Sequence, residues 1–281
     1  KMALMELIRK HFKTLKIKYA WGRNPYYYLA AKNGIHPSYI QQMLVDACYT
    51  DEDIFAAIDH LKKAGGKLFS KEKLQSTGNF HLTSKPSAWE PASLLVGRDV
   101  LILGTGPSVK KHKSALEDFI RRNNPFVLAL NIQTEIDQNL IDAHAACHPI
   151  RLLADCDSYP TLPQPLIAPT IIFPKELIDK FSDGKLLDFG VEIKENTFEF
   201  NSNGCVLPSS RVMVYALAIA TCGKAKQILL AGFDGYTEDD PRNMETEGLF
   251  ECYKKSKGAL DLISITYSRY SLKQKSLYGD W

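Results

Sequence analysis

Four groups of residues in this chain have the types and spacing to act on an anion: Gly104-Thr-Gly-Pro-Ser108, Asn131, Pro208-Ser-Ser-Arg211, and Asp234 with Tyr236. Gly104 and Gly106 let the backbone take angles closed to other residues, so N–H groups of Gly104, Thr105, Gly106 and Ser108 can approach a phosphate. A helical pattern that begins just beyond Ser108 would add its partial positive charge. Asn131 both donates and accepts, as recognition of a base or ribose requires. Ser209, Ser210 and Arg211 suit an anion at a second helix start. Asp234 can order its loop, bind ribose hydroxyls or hold a metal, and Tyr236 follows the same strand. Each residue also has a plain structural reading: strand-to-helix corner, strand-end turn, helix cap and Asx-turn respectively.

These residues are brought together only if the elements before them form one sheet. Val100 to Leu103 is a short all-apolar run of buried-strand type, followed by a helical pattern from Lys110 to Arg122. Pro125–Leu130, the segment around Asp142–His148, Leu166–Phe173, Gln227–Ala231 and Leu262–Thr266 read as further strands. Pro174–Phe181, Pro208–Cys222 and Asn243–Gly258 read as helices. Strands alternating with helices predict an α/β domain, a mostly parallel sheet with helices on both faces and ligands at the carboxyl ends of the strands. Every residue singled out above follows a strand or opens a helix. One rim would collect them all, which raises a nucleotide-binding reading above the single-residue alternatives. The dinucleotide pattern G-x-G-x-x-G would need a third glycine at Val109, so NAD is not expected.

Composition narrows the classes. The chain has 281 residues, 45% hydrophobic and 24% charged, enough for two domains. A net charge of +3, with basic residues scattered apart from Lys110, Lys111 and Lys113, argues against nucleic acid as a partner. Six cysteines form no C-x-x-C pair, and several lie in apolar runs, the usage of a reducing cytoplasm. No apolar segment reaches membrane-spanning length and no signal peptide opens the chain, which starts at Lys1 within a helical pattern and reads as a piece of a longer protein.

Three regions are expected: a helical unit over residues 1–75, an arm or linker over 76–96 rich in Ser, Thr, Pro and Gly that Trp89 can pin down, and the α/β domain over 97–281. In the first, Tyr26, Tyr27, Tyr28 and His36 line a pocket or pack helix junctions, and its apolar faces call for a partner, a homo-oligomer included. The run Trp21 to Leu44, with Asn24-Pro25-Tyr26-Tyr27, Gly34-Ile35-His36-Pro37 and Tyr39-Ile40-Gln41, followed by Asp51-Glu-Asp-Ile54, resembles the helical segment after the barrel of 4-hydroxy-2-oxovalerate aldolase and HMG-CoA-lyase-like proteins associated with surface-polysaccharide loci. The resemblance implies an aldolase-type barrel as partner in a full-length chain. This stretch carries none of the lyase residues.

A second resemblance rests on Gly104-Thr-Gly-Pro-Ser108, a strand ending in Asn131, the apolar helix after Ser209-Ser210, and Ile228-Leu-Leu-Ala-Gly-Phe-Asp-Gly-Tyr236. Together they are similar to bacterial sialyltransferases that use CMP-activated sugars and to hydroxymethylpterin diphosphokinase-like proteins, which share a Rossmann-like core. It implies a glycosyltransferase of polysaccharide biosynthesis, with Gly104 to Ser108 and Asn131 holding the nucleotide and Tyr236 near its phosphate. Asp234 and Arg211 join Tyr236 as candidate catalytic residues, and Ser209 and Ser210 as binding residues. This chain has Thr105 where those transferases have Asn, and its last histidine is His148, so their general base has no counterpart. Asp239, Asp240 or Glu245 can substitute as base or metal ligand, or belong to a mobile acidic loop. The diphosphokinase alternative implies ATP and Mg²⁺; otherwise no metal or cofactor is expected. A binding or assembly domain without chemistry is the third reading, and the tail Thr266–Tyr278 either folds over the ligand or docks a partner.

Overall fold

A computed structural model describes residues 89–279 apart from 149–151, 153, 154, 156, 171–177, 195 and 239. The chain divides into two compact units, Lys1–Asn79 and Phe80–Trp281. The helical unit expected over residues 1–75, with Tyr26–Tyr28 and His36, lies outside the described residues, as do residues 76–88 of the arm and Asp239. The rest of the arm is structured: Ala92–Leu95 forms a one-turn helix, α1, whose Leu95 is fully buried, and Trp89 meets Phe189 edge-on at 6.4 Å.

The α/β expectation holds. Eight strands form one wholly parallel sheet: β1 (Asp99–Leu103), β2 (Phe126–Leu130), β3 (Ala143–Ala145), β4 (Leu166–Ala168), β5 (Leu186–Asp188), β9 (Gln227–Ala231), β10 (Leu262–Ser264) and β11 (Lys273–Gln274). Their order is β11-β10-β9-β1-β2-β3-β4-β5. The chain winds outward from β1 to β5, then returns to the other side of β1 and continues through β9 to β11. The reversal lies between β1 and β9, which pair from Asp99↔Gln227 to Leu103↔Ala231. At such a switch point the loops leaving the two strands diverge and open a crevice.

Alternation along the central strands supplies both faces with core. Leu101, Leu103, Val127 and Ala129 pack under α3 (Lys113–Asn123) through Leu116, Phe119 and Ile120. Val100, Ile102, Leu128 and Leu130 face the other way, onto α4 (Val212–Cys222). The almost wholly apolar sequence of α4 follows from its position: Met213 to Cys222 are all buried, because a second sheet of β6 (Gly190–Ile193), β8 (Gly204–Leu207) and β7 (Glu199–Asn201) covers the side turned away from the main sheet. This small sheet was not expected from the sequence. Its β7–β8 hairpin contains Asn201-Ser-Asn-Gly204, with Asn201 paired to Gly204. The last long helix, α5 (Pro241–Lys254), starts two residues before the expected Asn243, because the Asp240 side chain accepts from Arg242 N at 2.9 Å.

Candidate functional site at the strand switch point

The segment after β1 is a corner built against the segment after β9. Gly104 N–H donates to Ala231 O at 2.8 Å and Gly106 N–H to Gly232 O at 3.0 Å. Both glycines are dictated by this approach: a Cβ on Gly104 would stand 2.7 Å from Gly232 O, and one on Gly106 only 2.2 Å from Asp234 Oδ2. The helical pattern beyond is broken into α2 (Pro107–Lys111) and α3, with His112 between them.

Asp234 is the hinge pin of the site. Its Oδ1 accepts from Ser108 N–H at 3.0 Å and its Oδ2 from Ser108 Oγ at 2.7 Å. Ser108 Oγ lies 3.0 Å from Thr266 Oγ1, which accepts from Gly232 N–H at 3.1 Å. Ser108 has one hydroxyl hydrogen and the carboxylate takes it, so Thr266 donates to Ser108 Oγ. An ordered chain therefore runs Gly232, Thr266, Ser108, Asp234, tying the ends of β1, β9 and β10. The carboxylate occupies the helix-start position that an anionic ligand would otherwise take. Thr105 and Pro107 are exposed at the rim.

Gln133, which sequence reasoning missed, fixes the corner from the β2 side. Only 2% exposed, it donates through Nε2 to Gly104 O at 2.8 Å and accepts from Glu135 N at 2.8 Å. Its sole sequence signal is a polar side chain two residues past Asn131. Asn131 itself has φ 54°, in the left-handed region that Asn tolerates, and its N–H donates to Ala145 O at 2.9 Å. Its side-chain amide makes no hydrogen bond with the described residues and is half-buried at the rim, free for a ligand. The carbonyl of Asn131 accepts from His144 Nδ1 at 2.7 Å. His144 is fully buried, and burial holds its imidazole below the ordinary value against the opposing pull of that bond. Its Nε2 lies beside the Gln164 side chain without a well-formed hydrogen bond.

The remaining candidates line the same edge. Ser209 and Ser210 do not open α4, which starts at Val212 after Arg211 in extended geometry at φ −69°, ψ 131°. Ser209 Oγ accepts from Arg211 N at 3.4 Å, and Ser210 O accepts from Cys147 Sγ at 3.1 Å. The Arg211 guanidinium forks onto Glu245, with Nε 2.8 Å from Oε1. Tyr236 N–H donates to Asn243 Oδ1 at 2.8 Å, its carbonyl accepts from Arg269 Nη1, and the Arg242 guanidinium stacks 4.0 Å over its ring. Its hydroxyl has no partner among the described residues. Arg242 also holds the Asp240 carboxyl down at about 2, the side-chain hydrogen bonds leading. Gly235, at φ 93°, lets the loop turn closely over Arg269.

His112 is the second residue that the sequence did not single out. Its Nδ1 lies 2.7 Å from Tyr278 Oη, and both line a pocket of about 360 Å³ with Ile265, Thr266, Tyr267 and Leu277. Thr266 joins this pocket to the corner. No local pattern could have paired residues 166 positions apart. Among the described residues no three His, Cys, Asp or Glu side chains gather as a metal site, and no helix is long and apolar enough to cross a membrane.

Compared with known proteins, the chain matches no family model and no curated protein.

Proposed function

We propose that the α/β domain binds a nucleotide or nucleotide-sugar at the β1/β9 switch point and transfers a glycosyl group from a CMP-activated donor. The observation that carries the reading is the crevice itself, where the corner at Gly104–Ser108, the amide of Asn131 and the hydroxyl of Tyr236, both without a partner among the described residues, share the carboxyl edge of one parallel sheet. Such a transferase must hold the donor phosphate, assist its departure and take a proton from the acceptor hydroxyl. Thr105 and Asn131 serve the first, Tyr236 and Arg211 the second. His112 serves the third, because its Nε2 has no partner among the described residues and it shares a pocket with Thr266. Asp234 is a positioning residue, since both of its oxygens are spent on Ser108. The setting we infer is surface-polysaccharide synthesis in the cytoplasm, beside an aldolase-type barrel.

Calorimetric titration with CMP, CDP, UDP, GDP and ATP, each with and without Mg²⁺, tests the reading. Asn131→Gly is the variant of choice, because it removes the amide while relieving the left-handed backbone. Micromolar cytidine-nucleotide binding that Asn131→Gly abolishes supports the donor site. Binding of ATP with Mg²⁺ alone transfers the case to a diphosphokinase. No binding at all leaves the corner as architecture. A ligand-binding role without chemistry is the second reading, favoured by the engagement of both Asp234 and Arg211 by protein partners. Turnover of CMP-N-acetylneuraminic acid separates the two.

A further inference from the structure

The pocket beside the corner has a composition unlike the rest of the rim. Its floor is apolar, Ile265 and Leu277 each being only 2% exposed. Its walls carry two tyrosines left in water, Tyr267 at 61% and Tyr278 at 69% exposure. These are two of the few large apolar side chains the described residues expose. Tyr278 is not loose: it meets His112 edge-on, with ring centroids 5.9 Å apart at 74°, and the two side chains hydrogen-bond at 2.7 Å. The tail that brings it there is held by β11 on β10 and by Lys275 N–H donating to Ser264 O at 3.0 Å. Around the aromatic walls stand Thr266, Gln274, Lys275 and Ser276, and among the described residues no carboxylate lines the space.

Exposed aromatic faces over an apolar floor, rimmed by hydroxyl, amide and amine groups, fit a ligand with an apolar face and polar edges. A pyranose is such a ligand: its C–H face stacks on an aromatic ring, while its hydroxyls bond donors and acceptors in the ring plane. A volume of about 360 Å³ lies at the small end of ligand pockets, roughly 300–1,000 Å³, a size for one or two sugar rings. We propose that the pocket formed by His112, Thr266, Tyr267, Leu277 and Tyr278 is a saccharide-binding site that presents a sugar hydroxyl to the corner through Thr266 and His112. The step from saccharide ligand to acceptor rests on the donor reading above; the binding site does not.

The test is nuclear magnetic resonance of the full chain with labelled tyrosine and histidine rings and labelled glycine, serine, threonine and asparagine amides. Tyr267→Phe, Tyr278→Phe and His112→Gln assign the ring signals. Galactose, N-acetylglucosamine, mannose and lactose are titrated first, then CMP. The expected result is a saturable shift of the Tyr267, Tyr278 and His112 signals with at least one sugar, weakened at least about tenfold in Tyr278→Ala at unchanged melting temperature. If no sugar moves those signals, or if CMP moves them in place of the Gly104–Ser108 amides, the saccharide site is overturned. If sugars shift the pocket signals while CMP moves neither the Gly104–Ser108 amides nor the Asn131 side-chain amide, the saccharide site stands and the donor reading fails.

Discussion

Removing the Asp234 carboxylate should loosen the corner it pins. Ser108 is 3% exposed and gives Asp234 two hydrogen bonds, N–H to Oδ1 at 3.0 Å and Oγ to Oδ2 at 2.7 Å. Bonds to a charged group contribute about 1.5–3 kcal/mol each, and the two share one carboxylate, so they are not additive. Asp234 is itself half-buried, so water replaces part of what is lost in Asp234→Ala. The net cost is about 3 kcal/mol, which lowers the melting temperature by roughly 6–12 °C for a domain of this size. Asp234→Asn retains one oxygen for Ser108 N–H and offers its amide to Ser108 Oγ, whose hydrogen then turns to Thr266. That variant should lose about 1 kcal/mol. Circular-dichroism melts give the order wild type, Asn, Ala, and hydrogen exchange by mass spectrometry locates the loosening in residues 103–109 and 230–234. An Ala variant as stable as wild type, or one whose exchange rises elsewhere and not in these segments, refutes the pinning argument.

Three further outcomes follow from the same geometry. Burial lowers the His144 pKa in the folded protein, so below the unfolded value of about 6.5 the unfolded chain binds more protons. Stability is therefore full above that pH and falls as pH drops through it, by up to about 1.4 kcal/mol per unit; denaturation midpoints at pH 7 and pH 5 should converge in His144→Gln, and an unchanged gap refutes the assignment. Gly104→Ala puts a Cβ 2.7 Å from the Gly232 carbonyl, backbone that cannot yield, and should cost about 2 kcal/mol or more in chemical denaturation while the exposed Gly248→Ala, in open space on α5, does not. Burial pushes the Cys147 and Cys205 thiols well up and Cys222 up to about 12, whereas Cys252 is partly exposed; among these four, native-state thiol labelling read by mass spectrometry should modify Cys252 first, and labelling of Cys205 before unfolding refutes the buried setting.

The parts of the fold that the sequence reveals are those where one residue type decides the environment. β1, β2, β9 and α4 are continuous apolar runs, and each is buried on both sides as such runs require. Edges were harder to read. Glu199-Phe-Asn201 and Gly190–Ile193 are short and half-polar because one face of their sheet meets solvent, so no period announces them. The helix expected from Pro208 starts four residues later, at Val212, with Arg211 in the extended geometry usual for an N-cap residue. The acidic loop before α5 carries a cap, because Asp240 meets Arg242 two residues on. At the site, the glycines were legible because a corner between two strands leaves no room for Cβ. The partners of those glycines, Gln133 and Thr266, were not, since each acts through a contact spanning 29 or more residues.

The satisfaction of the corner constrains how any ligand can enter it. Gly104, Gly106 and Ser108 already donate their N–H groups to Ala231, Gly232 and Asp234, so a phosphate gains little by settling on them. It would also meet the Asp234 carboxylate: two like unit charges about 4 Å apart repel by about 4 kcal/mol at an effective dielectric of 20. A phosphate can therefore bind at the outer rim, on Thr105 and the Asn131 amide, leaving the corner intact, or it can displace Asp234 and break both of its hydrogen bonds to Ser108. The first course preserves four hydrogen bonds and needs no rearrangement of β9 or β10. On the function proposed above, that course would put the donor on the Asn131 side of the corner and the saccharide on the Thr266 side, so the corner would stand as a rigid wall between the two ligands and its stability would become part of their alignment.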